Sequence, residues 1–297
     1  MLIVDVFAER PLEGNQLAVF PDSAGYSDEF MQNLAREMNF SETTFISGQA
    51  DDGSWRVRIF TPATELPFAG HPTLGTAWVI RNLLSVESPD EVTLNLKVGK
   101  VQVTFEENGN PEDAIPWLTA PEIKLGKLVD PNAVARALRL DPDQLDPASP
   151  VQLVDVGLTS AMVPVRSLEA LKRVRPDMDA LRAAGVPGQA YIFCRQTNDP
   201  ALQVAARFFF EAGGAREDPA TGSATASFGG YALEHGLFGE RFSVRIEQGR
   251  QMGRPSLLRL EGSRVEGRPL IQVGGRVMPV SKGALFASVR DPRPVVI

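Results

Sequence analysis

The sequence holds one cysteine and two histidines among its 297 residues. A single thiol excludes an internal disulfide. Cys194 ends the apolar run Tyr191-Ile192-Phe193-Cys194, the setting of a buried strand thiol and not of a nucleophile. His71 and His235 are too few and too far apart in the chain for a dedicated zinc site, and no carboxylate cluster suggests another metal. Positive charge is also short: the formal net charge is −7, and no basic run with interleaved aromatics offers a nucleic-acid surface. No apolar run approaches membrane-spanning length. The first residues, Met1 to Phe7, lack a positive leader and reach Asp5 too early for a signal peptide, so a cytoplasmic location with no membrane partner is expected. Nucleotide motifs are missing as well. Gly70 to Thr76 nearly spells a phosphate-binding loop but has Thr76 where the loop's lysine belongs, and no Gly-x-Gly-x-x-Gly occurs. No cofactor is expected.

What is present is a globular composition, with 43% hydrophobic and 23% charged residues, long enough to bury two cores. One short pattern occurs twice, as His71-Pro72-Thr73-Leu74-Gly75-Thr76-Ala77 and as Asp218-Pro219-Ala220-Thr221-Gly222-Ser223-Ala224. Each copy follows an arginine-led apolar run, Arg58-Ile59-Phe60 or Arg207-Phe208-Phe209-Phe210, and leads into a helix-compatible stretch. Pro72 and Pro219 are candidates for the position just inside a helix start, where a missing N–H costs nothing, and Asp218 is a good N-cap. The glycine and small hydroxyl residues that follow would let an anion approach the free N–H groups of the first turn. The copies differ in their first residue, a histidine or an aspartate, so similar backbones would present two different ionisable groups.

Patterning extends the duplication. Strands are predicted at 2–7, 17–20, 43–47 and 55–60, a helix capped by Ser27 after 27, a helix after Pro72 through Ile80, and a hairpin of 92–96 with 101–105. The second half repeats the plan: Val154-Asp155-Val156 echoes Val4-Asp5-Val6. A strand at 161–165 follows, then helical patterns across 167–174 and 177–184, strands at 191–194 and 203–210, and a helix ending at His235. Short strands at 242–246, 257–260 and 271–280 complete it. The expected division is 1–120 as an N-terminal lobe, on which the tail 284–297 packs, and 121–283 as a C-terminal lobe. Ahead of both copies lies a third element, Ser41-Glu42-Thr43-Thr44-Phe45, a carboxylate and three hydroxyls at the mouth of a strand. Partial burial behind Phe40 would raise the pKa of Glu42 toward a range useful for carrying a proton both ways, which makes it the candidate general base.

Taken together, Gly14 to Phe20 with Asn15, Asn39 to Phe45, Glu65 to Ala77, Glu217 to Ala224, Glu247-Gln248-Gly249, Met252 to Ser256 and Val273 to Val277 resemble the PhzF-like family of phenazine-biosynthesis isomerases over essentially the whole chain. One departure is Gln16, where the family often has proline after Gly-Asn. The resemblance implies an α+β fold like that of diaminopimelate epimerase: two duplicated lobes, each a highly curved, mostly antiparallel sheet (an open barrel) around a central helix, with the active site in the cleft between them. It implies a cofactor-independent isomerase that moves a proton between carbons of a small carboxylated substrate. Glu42 would be the acid and base, with His71 and Asp218 assisting and Ser41, Gly70, Gly222 and Ser223 holding the substrate. A homodimer is the implied assembly. The paired cysteines of the epimerase relatives have no counterpart here. Two other readings stay open: a cysteine-free epimerase or racemase of a small amino acid, and a catalytically silent metabolite-binding protein.

Overall fold

The computed structural model describes residues 1–107, 109–110, 113–212 and 214–286. The chain falls into two compact units, Met1–Leu118 with the segment from Gly275 onward, and Thr119–Gly274. The strands of the first stretch are β1 (Leu2–Val6), β2 (Asn15–Phe20), β3 (Glu42–Gln49), β4 (Trp55–Phe60), β5 (Glu65–Leu66), β6 (Glu91–Leu96), β7 (Gly99–Glu106) and β8 (Ile115–Thr119). The second unit carries β9 (Lys124–Leu128), β10 (Gln152–Asp155), β11 (Thr159–Pro164), β12 (Gln189–Cys194), β13 (Val204–Glu211), β14 (Ala215–Asp218), β15 (Arg241–Gln248), β16 (Ser256–Val265) and β17 (Arg268–Gly274). β18 (Val277–Lys282) returns to the first unit. Helices are α1 (Asp28–Met38), α2 (Gly70–Val79), α3 (Pro131–Ala137), α4 (Leu168–Arg173), α5 (Met178–Ala183) and α6 (Gly222–Glu234).

The duplication read from the sequence is a duplication of strand pairing. In the first unit β18, β1 and β2 pair antiparallel in turn, β2 and β3 parallel, β3 and β4 antiparallel, β4 and β6 parallel, and β6, β7 and β8 antiparallel. In the second unit β9, β10 and β11 pair antiparallel, β11 and β12 parallel, β12 and β13 antiparallel, β13 and β15 parallel, and β15, β16 and β17 antiparallel. The short strands β5 and β14 hang on β4 and β13 in the same way. Both units are thus mixed but mostly antiparallel, an α+β architecture.

One expectation is corrected here. A single strand over 271–280 within a lobe ending at 283 is instead two strands, broken at Gly275-Arg276, and the second leaves its neighbours to pair with β1, Val277 opposite Val6 and Met278 opposite Asp5. Open hydrogen-bonding groups on the edge of β1 supply the reason: β18 fills the place that β9 fills in the second unit. Of the tail, Leu285 packs on the Phe20, Phe45 and Phe60 cluster of the first unit, and 287–297 lie outside the described residues.

α2 shows why these sheets close around a helix. All ten of its residues are buried, so it has no polar face, and it touches β1, β2, β3, β6, β7 and β18. α6 is buried from Gly222 to Leu233 except at Ser223 and touches β10, β11, β16 and β17. The peripheral helices are amphipathic and capped by their own sequence, Ser27, Asp130, Ser167 and Asp177 each accepting a backbone N–H of the first turn. Among the described residues no helix is long and apolar enough to cross a membrane.

Candidate active site

Local packing in the first unit brings two of the expected site residues together. The start of β3 lies parallel to β2, Glu42 beside Leu17, and α2 begins at Gly70 after Ala69, which makes no side-chain cap. Thr44 and Thr76 hydroxyls meet at 2.8 Å and lock β3 to α2. Gly75 lets the helix close on the sheet, since a Cβ there would lie 2.7 Å from both Leu17 Cδ2 and Val6 Cγ2. With helix and strand so fixed, His71 Nε2 stands 3.5 Å from Glu42 Oε2. His71 is buried, and the Glu42 side chain is 16% exposed. On the far edge of the imidazole, Asn15 Nδ2 is 3.4 Å from Nδ1.

Burial drives the imidazole down to about 3, opposed by the Gln16 backbone. The ring is therefore neutral over the ordinary pH range, and the contact with Glu42 is an imidazole facing a carboxyl group and not an ion pair. Ser41 precedes Glu42 and Gly70 precedes His71, so both expected holding residues lie next to the pair. Thr73 in the first turn returns its hydroxyl to Ala69 O at 2.7 Å.

The second copy is built differently, and two expectations about it are corrected. Asp218 is not an N-cap and Pro219 is not inside the helix: α6 starts at Gly222 behind Thr221, again without a side-chain cap. Asp218 instead ends β14, opposite Phe208 of β13, because the ladder holds it in the strand until the proline interrupts. Thr221 donates its hydroxyl to Asp218 Oδ2 at 2.5 Å, and Gln248 Nε2 donates to Asp218 O at 2.9 Å. Gly249, at a φ of +74°, passes so close that a Cβ would meet Pro219 O at 2.6 Å. The Glu247-Gln248-Gly249 run therefore braces the turn that presents Asp218, Gly222 and Ser223.

Ahead of each motif lies a feature the sequence reading passed over. Arg58 grips Glu65 through Nε at 2.8 Å and through its terminal nitrogen at 3.0 Å, and Arg207 grips Glu217 with both contacts at 2.8 Å. Each guanidinium also covers a phenylalanine, Phe60 at 5.0 Å or Phe209 at 4.7 Å. These forks clamp β5 to β4 and β14 to β13, fixing the hairpins that lead into the motifs. The signal was in the sequence as the arginine of each apolar run and a glutamate ahead of each motif, six residues before His71 and one before Asp218. A second missed residue is Gln189. Val4 faces Leu17, which lies beside Glu42; Val154 faces Ser160, which precedes the β11–β12 ladder begun by Ala161 and Ala190 and whose hydroxyl meets Gln189 Oε1 at 3.1 Å. Register thus makes Gln189 the second unit's counterpart of Glu42.

Cys194 ends β12, buried, and burial pushes its thiol up to about 11, which makes it a poor nucleophile. Among the described residues no three His, Cys, Asp or Glu side chains are grouped to hold a metal.

A Glu-His pair on a strand and a buried helix start, with a proline-glycine motif repeated in the other unit, was the pattern of the resemblance. The phenazine biosynthesis-like protein family model matches residues 4–283. The chain belongs to this PhzF-like family. It is accordingly an isomerase. Among curated relatives, the trans-2,3-dihydro-3-hydroxyanthranilate isomerase of Pseudomonas chlororaphis is 33% identical, covering 96% of this chain and 98% of that protein. A solved structure from Pseudomonas aeruginosa, described as a predicted epimerase, is 32% identical with a TM-score of 0.80, covering 97% of this chain and 99% of that one. A PhzF-family protein of Bacillus anthracis has the same fold, with a TM-score of 0.86 at 24% identity over 94% of this chain and 96% of that one.

Proposed function

We propose that this PhzF-like isomerase moves a proton from one carbon of a small carboxylated substrate to another, with Glu42 as the group that removes and returns it. The observation that carries the reading is the 3.5 Å approach of His71 Nε2 to Glu42 Oε2. A carboxylate beside a buried neutral imidazole places a base and a ring N–H or lone pair at one point, which is what proton abstraction next to an unsaturated or carboxylated carbon requires. Glu42 takes the proton from the first carbon, the electron pair shifts the double bond, and the same carboxyl returns the proton to the second carbon. No electrons are gained or lost overall. The N–H groups at the uncapped starts of α2 and α6 suit a carboxylate. Ser41, Gly70, Gly222 and Ser223 hold the substrate in this reading, while Asp218 orients a heteroatom and passes protons to or from it.

The curated relatives named as trans-2,3-dihydro-3-hydroxyanthranilate isomerases make that hydroxylated, carboxylated ring the first substrate to try. The epimerase reading needs a second acid or base for the opposite face of one carbon. The counterpart of Glu42 is the amide Gln189, which carries no titratable proton, and of the two other candidates, Asp218 and His71, the imidazole stands beside Glu42 itself. A one-base shift is therefore the simpler account of these residues. A homodimer and a cytoplasmic location belong to the same proposal.

The test is proton NMR in heavy water with a panel of small carboxylates that includes trans-2,3-dihydro-3-hydroxyanthranilate and several amino acids, comparing wild type with Glu42→Gln. Deuterium at a new carbon, abolished in the variant, supports the shift. Deuterium confined to the original α-carbon means epimerisation, and exchange that survives in Glu42→Gln removes Glu42 from the role.

A further inference from the structure

Asn15 opens β2 with its backbone opposite Val6 of β1 and is 2% exposed, so its amide has little freedom to turn away. Its Nδ2 lies 3.4 Å from His71 Nδ1, and the Gln16 backbone is a second hydrogen-bond partner of the ring. An amide nitrogen only donates, so the ring nitrogen it meets must be a bare acceptor. A neutral imidazole with a bare Nδ1 carries its proton on Nε2, the nitrogen that stands 3.5 Å from Glu42 Oε2.

We infer that Asn15 is a positioning residue that fixes His71 as the neutral Nε2–H tautomer, so that the ring turns a hydrogen-bond donor toward Glu42. The inference rests on the reading of Glu42 and His71 as a working pair, and it adds a direction to that pair. In this tautomer the imidazole stabilises the carboxylate form of Glu42 and leaves the carboxylate free to take a proton from carbon. In the other tautomer a lone pair on Nε2 would hold a proton on Glu42 and block it as a base. The groups that face the ring and bear on the choice are the Asn15 amide, the Glu42 carboxyl and the Gln16 backbone. The last of these draws a ring proton toward itself and so defines the opposing arrangement.

The chain has only two histidines, so protein labelled with ¹⁵N-histidine gives two ring systems, and His71→Gln assigns them by loss of one. At pH 7, in the full-length protein without substrate, His71 is expected to show a protonated, pyrrole-type Nε2 and a bare, pyridine-type Nδ1. Asn15→Asp, which sets an acceptor against Nδ1, is expected to reverse that pattern and to lower turnover about 10²-fold with KM little changed. A protonated Nδ1 in the wild type overturns the inference, as does an unchanged pattern in Asn15→Asp. The wild-type spectrum is decisive even if the variant fails to fold. An Nε2–H ring in a protein whose proton shift survives Glu42→Gln would keep the tautomer assignment and remove the functional reading instead.

Discussion

The two copies of the motif share a strand order and differ in the ionisable side chains they present. In the first unit the ionisable residue is His71, inside the first turn of a fully buried helix and beside Glu42 of β3. In the second it is Asp218, at the end of a strand three residues before Thr221, held by Thr221 and Gln248. The residue matching Glu42 is Gln189, whose Oε1 accepts from the Ser160 hydroxyl at 3.1 Å. The two units thus share one topology, and the carboxyl-imidazole contact occurs in the first. Repeated backbone does not imply repeated chemistry, because a single side chain at the same register position decides whether a proton can be carried.

The sharpest way to break the comparison is to exchange the matched residues. Glu42→Gln is expected to lower the proton-shift rate by about 10²- to 10⁴-fold with an unchanged melting profile, whereas Gln189→Glu leaves deuterium exchange present and cannot rescue Glu42→Gln. Rescue by the double variant would mean that the two positions are interchangeable.

The forks come next. Arg207 is nearly buried and also donates to Leu171 O and Val174 O at 3.1 Å each. Arg207→Leu leaves Glu217 and those carbonyls without it and is expected to cost about 3–5 kcal/mol in urea unfolding. Arg58→Leu, with a guanidinium 33% exposed, is expected to cost ~1 kcal/mol or less. Equal losses would show that the forks are energetically alike despite their different burial.

The histidine copy should couple folding to acid. The folded His71 is lowered from 6.5 to about 3, so between those values the unfolded chain binds a proton that the native protein does not. Stability from keeping the ring neutral is complete above 6.5 and is lost as pH falls toward 3, at about 1.4 kcal/mol per pH unit. His71→Asn is expected to flatten the acid slope of unfolding free energy by one proton between pH 6.5 and about 3. An unaltered slope would mean that the ring is already protonated in the native state. A smaller effect is expected at Gly249→Ala, where a positive φ and the 2.6 Å approach to Pro219 O make a cost of about 1–3 kcal/mol. The loss should appear in the Asp218 turn and leave the tautomer of His71 unchanged.

Much of this was legible in the chain because it is local. Ser27, Ser167 and Asp177 announced their helices, alternation placed most strands within a residue or two, and Glu42, His71 and Asp218 stood out by type and motif. Asn15 was visible as a motif residue without a role. Gln189 and the Arg-Glu forks were not noticed, since their meaning lies in which residues face each other across a ladder, and the spacing from arginine to glutamate differs between the copies.

By itself, then, the sequence determined a duplicated α+β chain with a histidine motif, an aspartate motif and a lone candidate carboxylate, since caps, turn residues and hydrophobic periods act over a few residues. Tertiary structure decided the rest. Long-range pairing sent β18 to β1, the β13 ladder kept Asp218 out of the helix, and the packing of α2 against β3 set His71 against Glu42 and buried its ring. Register and burial are properties of strands far apart in sequence, and no short window of the chain encodes them.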